Sequence, residues 1–100
     1  MANNLKLIEW IAKNKQVGHS FSFEEGGELY WSSVAAQKWN GKFKVYVDEI
    51  LDSQMACDNY LREEVIEFDS IQCAIEFISE NTRCSPEKLA PCKGQKIFEP

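Results

Sequence analysis

Residues 17–50 read VGHSFSFEEGGELYWSSVAAQKWNGKFKVYVDEI, three stretches of alternating side chains separated by Gly26-Gly27 and Asn40-Gly41. A strand with one buried face requires this alternation, because successive side chains point to opposite sides of a sheet. Val17, His19, Phe21 and Phe23 alternate with Gly18, Ser20 and Ser22, so 17–23 is predicted to be a half-buried strand. Residues 24–28 read as a turn, since paired glycines accept positive φ. A second strand follows over 28–37, in which the adjacent Tyr30 and Trp31 point to opposite faces. Asn40-Gly41 is the dipeptide preferred by a two-residue type I′ hairpin. The third strand, 42–50, places Phe43, Val45 and Val47 on one face and Lys42, Lys44, Tyr46 and Asp48 on the other.

Outside this core of strands the period changes. Residues 4–15 read as a helix capped by Asn4, with Leu5, Ile8, Ile11 and Ala12 on one face, widened by Leu7 and Trp10. Residues 52–58 are polar and irregular. In 59–68, Leu61 to Glu64 favour helix and Val65 to Phe68 favour strand. We assign a fourth strand ending at Phe68, with a helical alternative for 52–64. Asp69 is a suitable N-cap with Gln72 at the capping-box position. The helix it starts runs to about residue 80, buries Ile71, Ala74, Ile75 and Ile78 with Phe77 beside them, and ends at a left-handed Asn81. Ser85-Pro86 opens a short turn of helix. Residues 91–100 form a tail whose Ile97-Phe98 pair docks on the body. The order α-β-β-β-β-α predicts one α+β domain over residues 1–100. It is a four-stranded antiparallel meander flanked by an N-terminal and a C-terminal helix, in two layers with both helices on one sheet face.

A chain of 100 residues with 44% hydrophobic content and 12% aromatics can build a real core, so it is neither a tail nor a disordered linker. The N-terminus carries no charged-then-apolar leader pattern and no apolar run long enough to span a bilayer, which predicts a soluble, cytoplasmic protein. Cys57, Cys73, Cys84 and Cys92 contain no close pair of the kind that aims two ligands at one zinc ion. They read as small buried thiols, with a Cys84–Cys92 disulfide or a redox role as the alternatives.

Charge is the main functional signal. From Asp48 to Glu80 there are ten acidic residues and one basic residue, Arg62. The segments 1–47, 48–80 and 81–100 carry +2, −9 and +2 of the net −5. Such a block repels anions and attracts cationic partners. Lys38, Lys42 and Lys44 with Trp39 and Phe43 make a small basic-aromatic patch, but the acidic block follows at once, so direct nucleic-acid binding is disfavoured. Glu63, Glu64 and Glu67 lack the alternating ligands and the glycine of a calcium loop and read as a solvated face. No nucleophile elbow, zincin motif, P-loop or dinucleotide fingerprint occurs. His19, the one histidine, lies in phase with Phe21 and Phe23 and reads as structural.

These features predict a small acidic protein-binding domain without catalysis, cofactor, metal or membrane contact. The best fit is an inhibitor, of immunity or anti-defence type, of a basic nucleic-acid-handling partner. The carboxylates expected to stand in for phosphates are Asp48, Asp52, Asp58, Glu63, Glu64 and Glu67. Tyr30 and Tyr46 on polar strand faces and Trp39 at a hairpin tip are the expected anchors, provided the helices cover the Trp31/Phe43/Val45 face. The alternative is an adaptor or homodimer that uses an aromatic sheet face, with charge incidental. A small enzyme using a cysteine and His19 is the third possibility.

Overall fold

The computed structural model describes residues 4–57 and 59–100. Two helices, α1 (Leu5–Ala12) and α2 (Ile71–Asn81), accompany an open antiparallel sheet of five strands: β1 (Val17–Glu25), β2 (Glu28–Trp39), β3 (Lys42–Leu51), β4 (Arg62–Phe68) and β5 (Ala90–Pro91). Their spatial order is β4-β3-β2-β1-β5. The fold is therefore α+β with an antiparallel sheet, but with five strands rather than four. The fifth pairs only with Val17 and Gly18. Two residues show no periodicity and Pro91 lacks an N–H to donate, so nothing local marks this strand.

Both glycine turns are two-residue hairpins. Gly26 and Gly27 have φ of 61° and 81°, and Asn40 and Gly41 have 52° and 76°. Positive φ at both central positions matches the right-handed twist of the strands they join. The pairings then run without a bulge from Glu25↔Glu28 to Val17↔Ala36 and from Trp39↔Lys42 to Tyr30↔Leu51. An unbroken register assigns every residue a face by parity. Val17, Val34, Ala36, Val45 and Val47 share one face and pack with Leu7 and Ile11 of α1 and Ala74, Ile75 and Ile78 of α2. Burying a branched aliphatic side chain stabilises by about 1.5–3 kcal/mol, so this single layer supplies most of the hydrophobic driving force.

The helix ends differ from the sequence expectation in instructive ways. α1 stops at Ala12, not at residue 15, because Asn14 takes the left-handed conformation at φ 63°. Its buried face is Leu7 and Ile11, with Ile8 and Trp10 at the margin, whereas Leu5 is 66% exposed. Asn4 stands at the N-cap with φ −94° and ψ 12° and makes no side-chain capping bond. An N-cap side chain normally reaches back from extended backbone, which Asn4 does not adopt. For α2 the cap is Ser70, not Asp69. Ser70 is extended and its Oγ accepts from the Cys73 N–H at 3.1 Å. The carboxylate of Asp69 is engaged by Lys42 instead. Asn81 is the last helical residue and not a left-handed cap. The terminal carbonyls of α2 are met by side chains: Thr82 Oγ1 donates to Ile78 O at 2.6 Å and Arg62 Nη1 to Asn81 O at 2.9 Å. Ser85 and Pro86 open a 3-10 turn over Pro86–Lys88, and another 3-10 segment covers Asp52–Cys57.

No described helix is long and apolar enough to cross a membrane.

Candidate functional site

The helices cover one face of the sheet, and parity decides what the other face presents. Trp31 is paired with Ile50 and so shares the uncovered face with Ala35 and Tyr46, not the helix face with Phe43 and Val45. Tyr30 is paired with Phe23 and Leu51 and lies on the helix side, where its ring stacks on Phe23 at 5.1 Å. Arg83 lies over the Phe23 ring at 4.2 Å. Tyr30 therefore stands on the opposite side of the sheet from Asp48, Glu63 and Glu67, which it was expected to join.

Tyr46 is on the uncovered face but only 8% exposed. The C-terminal segment crosses that face, and Phe98 stacks on Tyr46 at 5.5 Å. Gln16 holds the segment through its backbone. Gln16 Oε1 accepts from Ile97 N at 2.6 Å and from Phe98 N at 3.3 Å, while Nε2 donates to Phe98 O at 2.9 Å and to Gln37 Oε1 at 2.9 Å. Ile97 runs so close to Gly18 that a Cβ there would lie 2.3 Å from Ile97 Cδ1. Gly18 thus serves close approach, not a turn.

The phenol of Tyr46 joins two carboxylates. Its hydroxyl lies 2.8 Å from Asp48 Oδ2 and 3.0 Å from Glu63 Oε2. One hydroxyl carries one proton, so it can donate fully to only one of them. Asp48 also accepts from the Ser33 N–H at 2.7 Å. Burial raises the Asp48 carboxyl above its ordinary range, against the lowering effect of the Tyr46 and Ser33 hydrogen bonds, and the charge of Glu63 adds to the rise. Burial raises the Tyr46 phenol too, helped by both carboxylates.

A raised carboxyl pKa means that the charged form is disfavoured in the folded state. The contribution of Asp48 to stability is complete below the ordinary aspartate range near pH 4 and is lost as pH rises through the elevated folded value. Asp48→Asn, which keeps the shape and relieves the shortage of protons, is therefore expected to be more stable than the parent at pH 7, on the order of 1 kcal/mol. The difference should shrink as pH falls toward 4. Urea titrations at several pH values check this, and a variant less stable at pH 7 would show that the two hydrogen bonds outweigh the burial.

The acidic residues do not form one patch. Asp52 is exposed and accepts from Trp31 Nε1 at 2.8 Å. Glu63 and Glu67 share the uncovered face, but Glu67 lies opposite Lys44. Lys42 and Asp69 form an ion pair that raises the ammonium pKa and lowers the carboxyl pKa. Glu64 falls on the helix side by parity and pairs with Arg62. Asp58 lies outside the described residues. Trp39 is exposed at the end of the β2–β3 hairpin, away from Asp48, Asp52 and Glu63. Of the described carboxylates expected to form the site, Asp48, Asp52 and Glu63 have neither an ion pair nor a cation directly opposite, and Asp48 and Glu63 face each other across β3 and β4.

Beside these carboxylates lie apolar side chains the sequence reading did not single out. Trp31 is 38%, Leu61 61% and Val65 50% exposed. Val65 alternates with Glu63 and Glu67, so the period of β4 alone could have placed it with those acids on one face, and Leu61 immediately precedes the strand. Between β4 and the C-terminal segment opens a cleft of about 360 Å³, walled by Glu63, Val65, Phe98 and Glu99 and floored by Tyr46.

His19 stacks on Phe21 at 5.4 Å on the helix side of the sheet. All four cysteines are free thiols. Burial pushes Cys84 up to about 11, and its Sγ donates to Ser85 O at 3.3 Å. Cys57 and Cys73 are exposed, not buried as expected. Among the described residues no group of three or more His, Cys, Asp or Glu side chains is placed to hold a metal ion. No protein-family model, no curated protein and no solved structure matches the chain.

Proposed function

We propose that this chain is a non-catalytic protein-binding domain that inhibits a basic, nucleic-acid-handling partner by docking the acidic end of its uncovered sheet face. The supporting observation is the juxtaposition of exposed Asp52 and Glu63 with exposed Trp31, Leu61 and Val65, while Asp48, only 8% exposed, is buried beside Glu63 and makes no direct contact with the partner. Carboxylates not engaged in ion pairs steer a positive site into contact, and apolar and indole surface beside them supplies the desolvated centre of an interface. With Tyr46 under Phe98 and Tyr30 on the other side of the sheet, Trp31 takes the anchoring role. A domain of this kind occupies a cationic groove with carboxylates in place of phosphates.

The test is competition. The partner is isolated on the tagged chain from a lysate of the source cell, then titrated with this protein in the presence of its nucleic acid. Nucleic acid and this protein are expected to exclude one another, and affinity should fall by about tenfold or more between ~0.05 and ~0.5 M salt. A partner that holds both at once, with salt-independent affinity, would remove the inhibitor reading and leave an adaptor domain whose charge is incidental.

A further inference from the structure

β4 is the last strand of the sheet, and among the described residues nothing pairs with its outer edge. An open edge is a template for another strand. β1 also has an open stretch, but its first residues are closed by β5 and its Glu25 is engaged by Arg83. The two edges carry the same formal charge, −2, but place it differently: the acids of β1, Glu24 and Glu25, sit together at its end, whereas those of β4 are spread along the strand. β4 reads Arg62-Glu63-Glu64-Val65-Ile66-Glu67-Phe68, and its one cation is occupied by Glu64 and the Asn81 carbonyl.

That composition selects the occupant. A second copy pairing β4 with β4 antiparallel about Val65 would set Glu63 opposite Glu67 twice, and like charges directly opposite destabilise a sheet. The same carboxylates favour an incoming strand whose side chains are cationic at alternate positions. The cleft beside β4 supports this choice. It opens on the uncovered face, between Val65 and Phe98, with Glu63 and Glu99 on its walls and the stacked rings of Tyr46 and Phe98 beneath. At about 360 Å³ it lies near the lower limit for small-molecule sites, a size suited to one long side chain. A lysine or arginine projecting from an added strand would lay its methylenes on Val65 and Phe98 and bring its charge to Glu63 and Glu99.

Resting on the inhibitor reading above, we infer that β4 receives an extended basic segment of the partner as an additional strand, one of whose lysine or arginine side chains enters the Tyr46–Phe98 cleft. Backbone pairing sets the register and the cleft selects the cation.

The probe is a capped synthetic peptide of alternating lysine and valine, titrated into the full chain. Binding should weaken with salt and should slow amide exchange along β4. The same peptide N-methylated on alternate residues, which blocks one strand edge, should bind about tenfold more weakly or worse. Glu63→Lys should weaken the unmodified peptide more than Glu24→Lys, a control at an exposed site on β1. Equal binding of both peptides with unchanged β4 exchange would overturn the strand pairing and leave the acidic docking face standing. Equal losses from Glu63→Lys and Glu24→Lys would overturn the cleft. Absence of salt-sensitive binding by either peptide would overturn the whole inference, while the competition between partner and nucleic acid is decided separately.

Discussion

Gln16→Ala is expected to release the C-terminal segment from the sheet and to lower stability by about 3 kcal/mol, one of the largest single-residue effects in the molecule. Gln16 is only 6% exposed, and its one amide meets the N–H of Ile97, both backbone polar groups of Phe98, and the Gln37 side chain. Truncation to alanine leaves those groups without partners in a place where water cannot fully replace the amide. A buried polar group stripped of its partner costs about 1–3 kcal/mol, so the segment lowers its free energy by lifting off. Lifting off exposes Phe98 and its stacking surface on Tyr46, forfeiting a burial worth about 1.5–3 kcal/mol. The two costs are alternatives in part, which keeps the total near 3 kcal/mol and the fall in melting temperature at roughly 10–20 °C. Chemical denaturation and amide exchange at Phe98 test this together. A variant within about 0.5 kcal/mol of the parent, with the Phe98 amide still protected, would show that Phe98 packing alone holds the segment.

The second large effect concerns binding. Replacing Glu63, Glu64 and Glu67 together by glutamine is expected to reduce affinity for the basic partner by about two orders of magnitude, mostly through a slower association rate, with little change in folding. All three are exposed, and their existing ties are a share of the Tyr46 hydroxyl for Glu63, an ion pair with Arg62 for Glu64 and a cross-strand neighbour, Lys44, for Glu67. Exposed pairs contribute at most about 1 kcal/mol. Glu63 should account for most of the loss, because Glu64 and Glu67 are already compensated by cations. Association rates measured for the single variants and the triple, at two ionic strengths, give the partition. Unchanged affinity in the triple would move the interface to Trp31 and the aromatic surface and make the charge incidental.

Much of this architecture is legible in the order of residues because it depends on local rules. Gly26-Gly27 and Asn40-Gly41 require positive φ, and that requirement alone sets two hairpins and hence three antiparallel strands. Once both hairpins are bulge-free, the faces of Phe43, Val45 and Val47 against Tyr46 and Asp48 follow from the pleat. The fourth strand was harder, since Arg62 to Glu64 carry helix-favouring side chains. Pairing with β3, from Phe43↔Phe68 to Glu49↔Arg62, outweighs that preference, as tertiary context usually does.

What stayed hidden involves partners distant in the chain. Whether Asp69 or Ser70 caps α2 turns on Lys42, 27 residues away, which draws the Asp69 carboxylate to itself. The burial of Tyr46 depends on Phe98, and the docking of Phe98 on Gln16, a residue 82 positions earlier whose amide shows no local signal of its role. The acidic block likewise looks continuous along the chain. In space its members fall on two faces and beside different cations, because a strand sends neighbouring residues in opposite directions. The sequence by itself determined the two helices, the first four strands and the two hairpins, which follow from side-chain period and backbone freedom, and the sign of the charge, which follows from composition. Only the tertiary structure decided which carboxylates stand uncompensated and which aromatic rings remain exposed, because that depends on contacts formed when distant segments meet.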